Sequence, residues 1–198
     1  MRTRHIVGAV VAALAVPLTF AFPASSHGWV TTPPSRAALC DVHTSGVPWD
    51  CGDIQWEPQS VEGPKGFPAL GPSDGTICAG GNARFAELDA PHAGAWPTTP
   101  VTAGQSLTFT WKFTARHATS DFRYYLTKPG YDAGQPITRA NLELTPFLTV
   151  PYGGKQVPST LSHTATVPSG RTGHQVVVAV WTIADTANAF YSCTDVRF

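Results

Sequence analysis

Alternation of apolar and polar side chains is confined to the second half of the chain. Leu107, Phe109, Trp111 and Phe113 interleave with Thr108, Thr110 and Lys112, the period of a half-buried strand. Leu161, His163, Ala165 and Val167 repeat the pattern with Ser162, Thr164 and Thr166, and Phe122 to Thr127 forms a further run. His174 to Ile183 is strongly apolar and rich in Val, so it is expected as a central strand, with Tyr191 to Phe198 as the last. The block Thr138 to Leu148 suits a short helical turn or two. From His27 to Gly104 the texture differs. No long period-two run occurs there, and turn signals recur at Pro33-Pro34, Gly71-Pro72, Asp74-Gly75 and Gly80-Gly81. Short strands without βαβ alternation predict an all-β fold, an immunoglobulin- or fibronectin-III-like antiparallel β-sandwich with a long loop region between its first strands. A loop region of that length is usually functional.

The first residues read as a targeting segment. Arg2 and Arg4 precede an apolar run from Ile6 to Phe22, and small residues at Ala24 and Ser26 suit cleavage before His27. The run is broken by Gly8 and Pro17 and falls short of a comfortable membrane span of about 20 residues. The expectation is a secretory signal peptide over residues 1–26, an extracellular location, no membrane partner, and a single domain over residues 27–198. Without the leader, 11 basic residues face 13 acidic ones, a formal charge of −2, which gives nucleic acid nothing to bind. Charged residues make up only 13 % of the chain, and Gly and Pro number 18 each, which argues against a helical bundle. An aromatic content of 11 % supplies a core and argues against disorder. No linker or repeat is visible, so the domain is expected to act alone, as a monomer.

Four cysteines, Cys40, Cys51, Cys78 and Cys193, in an exported chain read as two disulfides. Three connectivities are possible. The favoured one closes a local loop with Cys40 and Cys51 and pins the early loop region to the final strand with Cys78 and Cys193. No CxxC spacing supports a metal site.

The common hydrolytic signatures are missing: no GxSxG elbow, HExxH helix or phosphate loop. Glu57 and Glu62 share one loop, which rarely places two carboxylates on opposite sides of a sugar as glycoside hydrolysis requires. A blue-copper carrier is excluded, since Met1 is the sole methionine and belongs to the leader. Histidine remains. His43, His92, His163 and His174 sit in no motif and read as structural or exposed. Cleavage before His27 would give that residue two nitrogen donors, its α-amino group and ring Nδ1, able to chelate a metal. His117 follows the strand Leu107 to Phe113, where a side chain can point off the sandwich edge.

Here the chain resembles the lytic polysaccharide monooxygenases, specifically the bacterial branch called auxiliary activity family ten. Four blocks carry the likeness: His27-Gly28-Trp29-Val30 with Pro33-Pro34-Ser35-Arg36; Cys51-Gly52-Asp53-Ile54-Gln55 running into Trp56-Glu57-Pro58-Gln59-Ser60-Val61-Glu62-Gly63; Thr114-Ala115-Arg116-His117; and Trp181 through Tyr191. The resemblance implies one copper ion held by the amino group and Nδ1 of His27 and by Nε2 of His117. Neutral nitrogen donors in a near-planar set suit copper(II). It also implies Phe190 and Ala115 as apolar neighbours on either side of the metal plane, and Glu62 as a polar residue that orients an oxygen species or water. Trp56 would be the exposed aromatic of a flat binding face, with Glu57, Gln59, Asp185 and Asn188 adding hydrogen-bonding groups. The implied activity is oxidative cleavage of crystalline chitin at C1, using an external electron donor and dioxygen or hydrogen peroxide. The alternatives are a cellulose-active copper monooxygenase and a non-catalytic chitin-binding protein.

Overall fold

The computed structural model describes residues 27–44 and 46–198. The expected signal peptide lies outside these residues. The chain enters with strand β1 (His27–Thr32), turns through helix α1 (Arg36–Cys40) and a 3-10 turn at Gly52–Trp56, and makes two short strands, β2 (Glu62–Pro64) and β3 (Thr99–Pro100). It then runs through β4 (Ser106–Ala115), β5 (Ala118–Leu126), β6 (Leu148–Gln156), β7 (Thr160–Thr166), β8 (His174–Ile183) and β9 (Asn188–Arg197). One sheet has the order β1-β4-β7 and the other β2-β9-β8-β5-β6. These pairings are antiparallel; β3 adds a two-residue parallel contact to β9, a departure from the all-antiparallel expectation. The long loop region lies between β1 and β4, and the expected helical turn falls at Arg139–Asn141.

Strand β8 explains its own sequence. Val177, Ala179, Trp181 and Ile183 join the core between the sheets, with Val30, Phe109, Trp111, Phe122 and Phe190. Val176, Val178 and Val180 point the other way, into a second core formed with Ile54, Phe67, Ile77, Phe85, Leu88 and Trp96 of the loop region. Both faces are dry, so the strand reads as a continuous apolar run rather than an alternation. The second core is what makes the loop region part of the molecule.

That region is tied down by polar links as well. The disulfides are Cys40–Cys51 and Cys78–Cys193, the favoured connectivity. Ser35 caps α1 by accepting from Ala38 N at 3.2 Å and donates to Val30 O at 2.7 Å. Arg36, next in sequence, is buried with a bidentate grip on Asp195 of β9, at 2.7 and 3.1 Å. His174 meets the same carboxylate at 2.7 Å, and Arg36 also donates to Leu88 O at 2.8 Å. Two other unassigned histidines are structural, for His163 is buried and accepts from Tyr124, and His92 stacks on Trp49 at 4.0 Å between ring centroids, while His43 is exposed.

Candidate functional site

The site residues gather at one corner of the sandwich, where the chain passes between sheets. β4 belongs to the first sheet and β5 to the second, and Arg116 and His117 alone connect them. In the β1–β4 register His27 lies opposite Ala115. The strand pairing thus brings the head of β1 to the residues just before His117. Packing at this point is tight: a Cβ on Gly28 would meet Phe113 Cδ1 at 2.6 Å and the Trp181 ring at 3.1 Å, so only glycine lets β1 lie so close behind His27.

Two further elements complete the corner. Glu62 opens β2 and pairs in register with Phe190 of β9. Its Oε1 accepts from Asn188 Nδ2 at 2.8 Å, which fixes the carboxylate. The loop before β2 is anchored to β1 by Gly28 N donating to Gln59 O at 2.9 Å, and to β9 by Tyr191 N donating to Val61 O at 3.1 Å. Behind β2, a Cβ on Gly63 would fall 2.0 Å from Gly80 O, so the Cys78–Gly81 turn presses directly on the strand. Phe190 is fully buried, its ring 5.0 Å from that of Trp181.

His117 is held from two sides. Thr119 Oγ1 donates to His117 O at 3.1 Å and accepts from Trp181 Nε1 at 2.7 Å, fixing the backbone. Asp185, in the turn between β8 and β9, approaches His117 Nδ1 at 3.3 Å. A carboxylate only accepts, so in a neutral imidazole this contact favours the proton on Nδ1 and turns the lone pair to Nε2.

The sequence-predicted residues separate into groups. The β1–β4 register pairs His27 with Ala115, two residues before His117; Glu62, Asn188 and Phe190 meet through β2 and β9. Asp185, expected as a hydrogen-bonding group on the face, lies against His117 Nδ1. Trp56 closes the 3-10 turn at Gly52–Trp56 with 69 % of its surface exposed. Glu57 does not stand alone: Arg84 Nη2 donates to its Oε1 at 2.6 Å, and Arg84 Nε donates to Asp53 at 3.0 Å. Arg84 was not foreseen. It lines, with His27, Glu57, Ser60, Glu62, Asn82 and Asn188, a hollow of about 340 Å³ beside the corner. Nothing in the run Asn82-Ala83-Arg84 marks it, because its role depends on where the loop region folds back. Among the described residues no group of three or more His, Cys, Asp or Glu side chains gathers as a metal site, and a set of two imidazoles and one backbone nitrogen would not form such a group.

A family model described as "Lytic polysaccharide mono-oxygenase, cellulose-degrading" matches residues 27–196. A GlcNAc-binding protein A from Shewanella oneidensis is 44 % identical over 175 residues, covering 88 % of this chain and 36 % of its own length. The chain thus spans about a third of that curated relative. Among solved structures, an AA10 lytic polysaccharide monooxygenase from Streptomyces lividans is 60 % identical, with a TM-score of 0.82, over 87 % of this chain and 100 % of that one. A Bacillus amyloliquefaciens CBM33 in complex with Cu(I) after photoreduction is 38 % identical, with a TM-score of 0.78, over 86 % and 99 % of the two chains.

Proposed function

The chain belongs to the family of lytic polysaccharide monooxygenases, and from that membership we propose a secreted, copper-dependent enzyme that cleaves crystalline chitin oxidatively at C1. One observation carries the reading: the β1–β4 register sets His27 opposite Ala115, two residues before His117, so two imidazoles distant in sequence share one corner. The donor set fits copper. Nδ1 of His117 is engaged by Asp185, which leaves Nε2 for a metal, and neutral nitrogens are the ligands copper(II) prefers. The copper-bound Bacillus amyloliquefaciens relative supports the choice of metal. The family match begins at His27, in keeping with a processed chain whose amino group and Nδ1 would be the other two donors. Both the processing and the extracellular location belong to this proposal.

When bound, copper supplies the one-electron chemistry that activates dioxygen or hydrogen peroxide, with electrons from an external donor. The chain's own residues do the rest. His27 and His117 would hold the metal. Ala115 and buried Phe190 would present apolar surface beside the metal site. Glu62, steadied by Asn188, would accept from a water or from hydrogen peroxide at the corner and so orient it. Trp56 lays its indole on a pyranose ring, while Gln59, Glu57, Asp185 and Asn188 offer hydrogen bonds to the polymer. A face of this kind, with one projecting aromatic, suits a solid surface better than a small soluble sugar.

Chitin is chosen over cellulose because the GlcNAc-binding relative and the polar groups around Trp56 favour an acetamido-bearing sugar. Cellulose is the second reading, favoured by the description of the matching family model. Incubating the copper-loaded protein, processed to His27, with a reductant and either β-chitin or cellulose separates the readings. Aldonic-acid oligosaccharides of N-acetylglucosamine are expected from chitin. Oxidised products from cellulose alone would overturn the substrate. Binding to chitin with no oxidised product would leave an adhesive. A form with one extra residue before His27 is expected to lose tight copper binding and activity, and equal behaviour of the two forms would remove the brace.

A further inference from the structure

The turn at 184–187 carries Asp185 to His117 and leads into Asn188, the partner of Glu62. Little packing holds it, for Ala184, Asp185 and Ala187 are exposed. Its carbonyls are instead collected by one residue. Lys65 N donates to Ala187 O at 3.0 Å, and Lys65 Nζ donates to Ile183 O at 3.4 Å and to Thr186 O. Lys65 is half-buried, and no carboxylate pairs with it among the ion pairs of the described residues, so carbonyl dipoles meet its charge. Lys65 also follows directly on β2, the strand that begins with Glu62. One side chain therefore spans from the Glu62 strand to the Asp185 turn.

We infer that Lys65 is a positioning residue: by gathering the carbonyls of residues 183 and 186 it sets the turn so that Asp185 reaches His117 Nδ1 and fixes that imidazole's tautomer. This rests on the copper reading above, in which Nε2 of His117 is a metal donor. Charge-assisted bonds from an ammonium to carbonyls are strong enough to order a short exposed turn. Groups that orient a metal-binding imidazole commonly alter metal affinity by about 10- to 100-fold when removed. The sequence gives no hint of this, since Lys65 lies in a Gly- and Pro-rich stretch and its partners are backbone atoms far along the chain.

The test uses the protein processed to His27. Ring-nitrogen NMR of the metal-free form reads the His117 tautomer, and a copper titration reads affinity. Lys65→Met is expected to convert a mainly Nδ1-protonated His117 into a mixture and to weaken copper binding about tenfold. Lys65→Arg, which retains donors for the same carbonyls, is expected to restore both. In an Asp185→Asn background, Lys65→Met is expected to add nothing further. Should Lys65→Met not fold, Lys65→Gln, whose shorter and uncharged amide removes the ammonium, is read in the same way. A folded Lys65→Met protein with the native tautomer ratio and native copper affinity would overturn the inference and leave Lys65 as a loop staple. Failure of the native protein to bind copper would instead remove the copper reading, while the tautomer measurement would still decide what Lys65 does to Asp185.

Discussion

Residues 33–104 and residues 105–198 meet the same requirement, a fixed backbone, by different means. The later region uses repetition. β4, β5, β7, β8 and β9 bury one side chain after another against the facing sheet, and Trp111, Phe113, Phe122 and Trp181 lie with ring centroids 4.8 to 6.3 Å apart. The earlier region has few ladders and uses individual ties: two disulfides, the Arg36–Asp195 pair, and Arg139 gathering the carbonyls of Pro68, Leu70 and Pro72. Packing by repetition is tolerant of single losses, whereas a loop held by a handful of ties depends on each. The candidate site takes residues from both regions and from β1, which precedes them. His27, Trp56 and Glu62 come from β1 and the loops; His117, Asp185, Asn188 and Phe190 come from the strand region.

The largest break in this comparison is expected from Cys78→Ala with Cys193→Ala. The bridge closes 115 residues, and in the chain-entropy account its loss costs about 5 kcal/mol. Chemical denaturation reads the total. Hydrogen exchange should rise in residues 33–104 well before it rises in β5 and β8; uniform loosening would mean that the two regions are one cooperative unit.

A second contrast lies in pH. Burial pushes the Asp89 carboxyl up to about 6, although it accepts from Cys78 N and Ala79 N. Its unfolded counterpart ionises near 3.8, so the folded loop region holds a proton that the unfolded chain has lost. Stability therefore falls as pH rises from about 4 to 6, by about 2 kcal/mol once residual exposure is allowed for. His163, in the sandwich core, behaves oppositely. Tyr124 takes a hydrogen bond from Trp111 at 2.8 Å and donates to His163 Nδ1 at 2.7 Å, and burial pushes the imidazole down to about 4. The unfolded histidine protonates near 6.5, so stability falls as pH drops from 6.5 toward 4. Denaturation midpoints across this window should lose the neutral-side decline in Asp89→Asn and the acid-side decline in His163→Gln. Unchanged profiles in both variants would show that neither group titrates differently on folding.

The smallest expected effect on stability is at Trp56. With its side chain projecting into solvent, Trp56→Ala should move unfolding by no more than about 0.5 kcal/mol while weakening retention on β-chitin about tenfold. Unaltered retention would take Trp56 off the binding face.

Legibility followed the same division. β4 and β7 were visible as alternation because one face of each is wet, and β8 was visible as a Val-rich run because neither face is. β1 and β6 were not. In β1 the consecutive residues Gly28, Trp29 and Val30 are all buried, so no period appears, and β6 is an edge strand interrupted by Pro151, Gly153 and Gly154. Within the site, His27, His117, Glu62 and Phe190 stood out through family-like motifs, and both disulfides through the count and placement of cysteines. Arg84 and Lys65 stayed hidden.

What the sequence determined by itself was local: the period of each exposed strand, the turn-rich texture before residue 105, an even set of cysteines, and which side chains carry nitrogen or carboxylate chemistry. The tertiary structure alone decided which of them meet. A strand register is a contact between distant segments, and a one-residue slip would turn every side chain of β1 to the other face. Asp185 reaches His117, Arg84 grips Glu57 and Lys65 collects the 183 and 186 carbonyls only because two sheets and a pinned loop converge on one corner. Those contacts depend on chain paths in three dimensions, and no pattern along the chain encodes them singly.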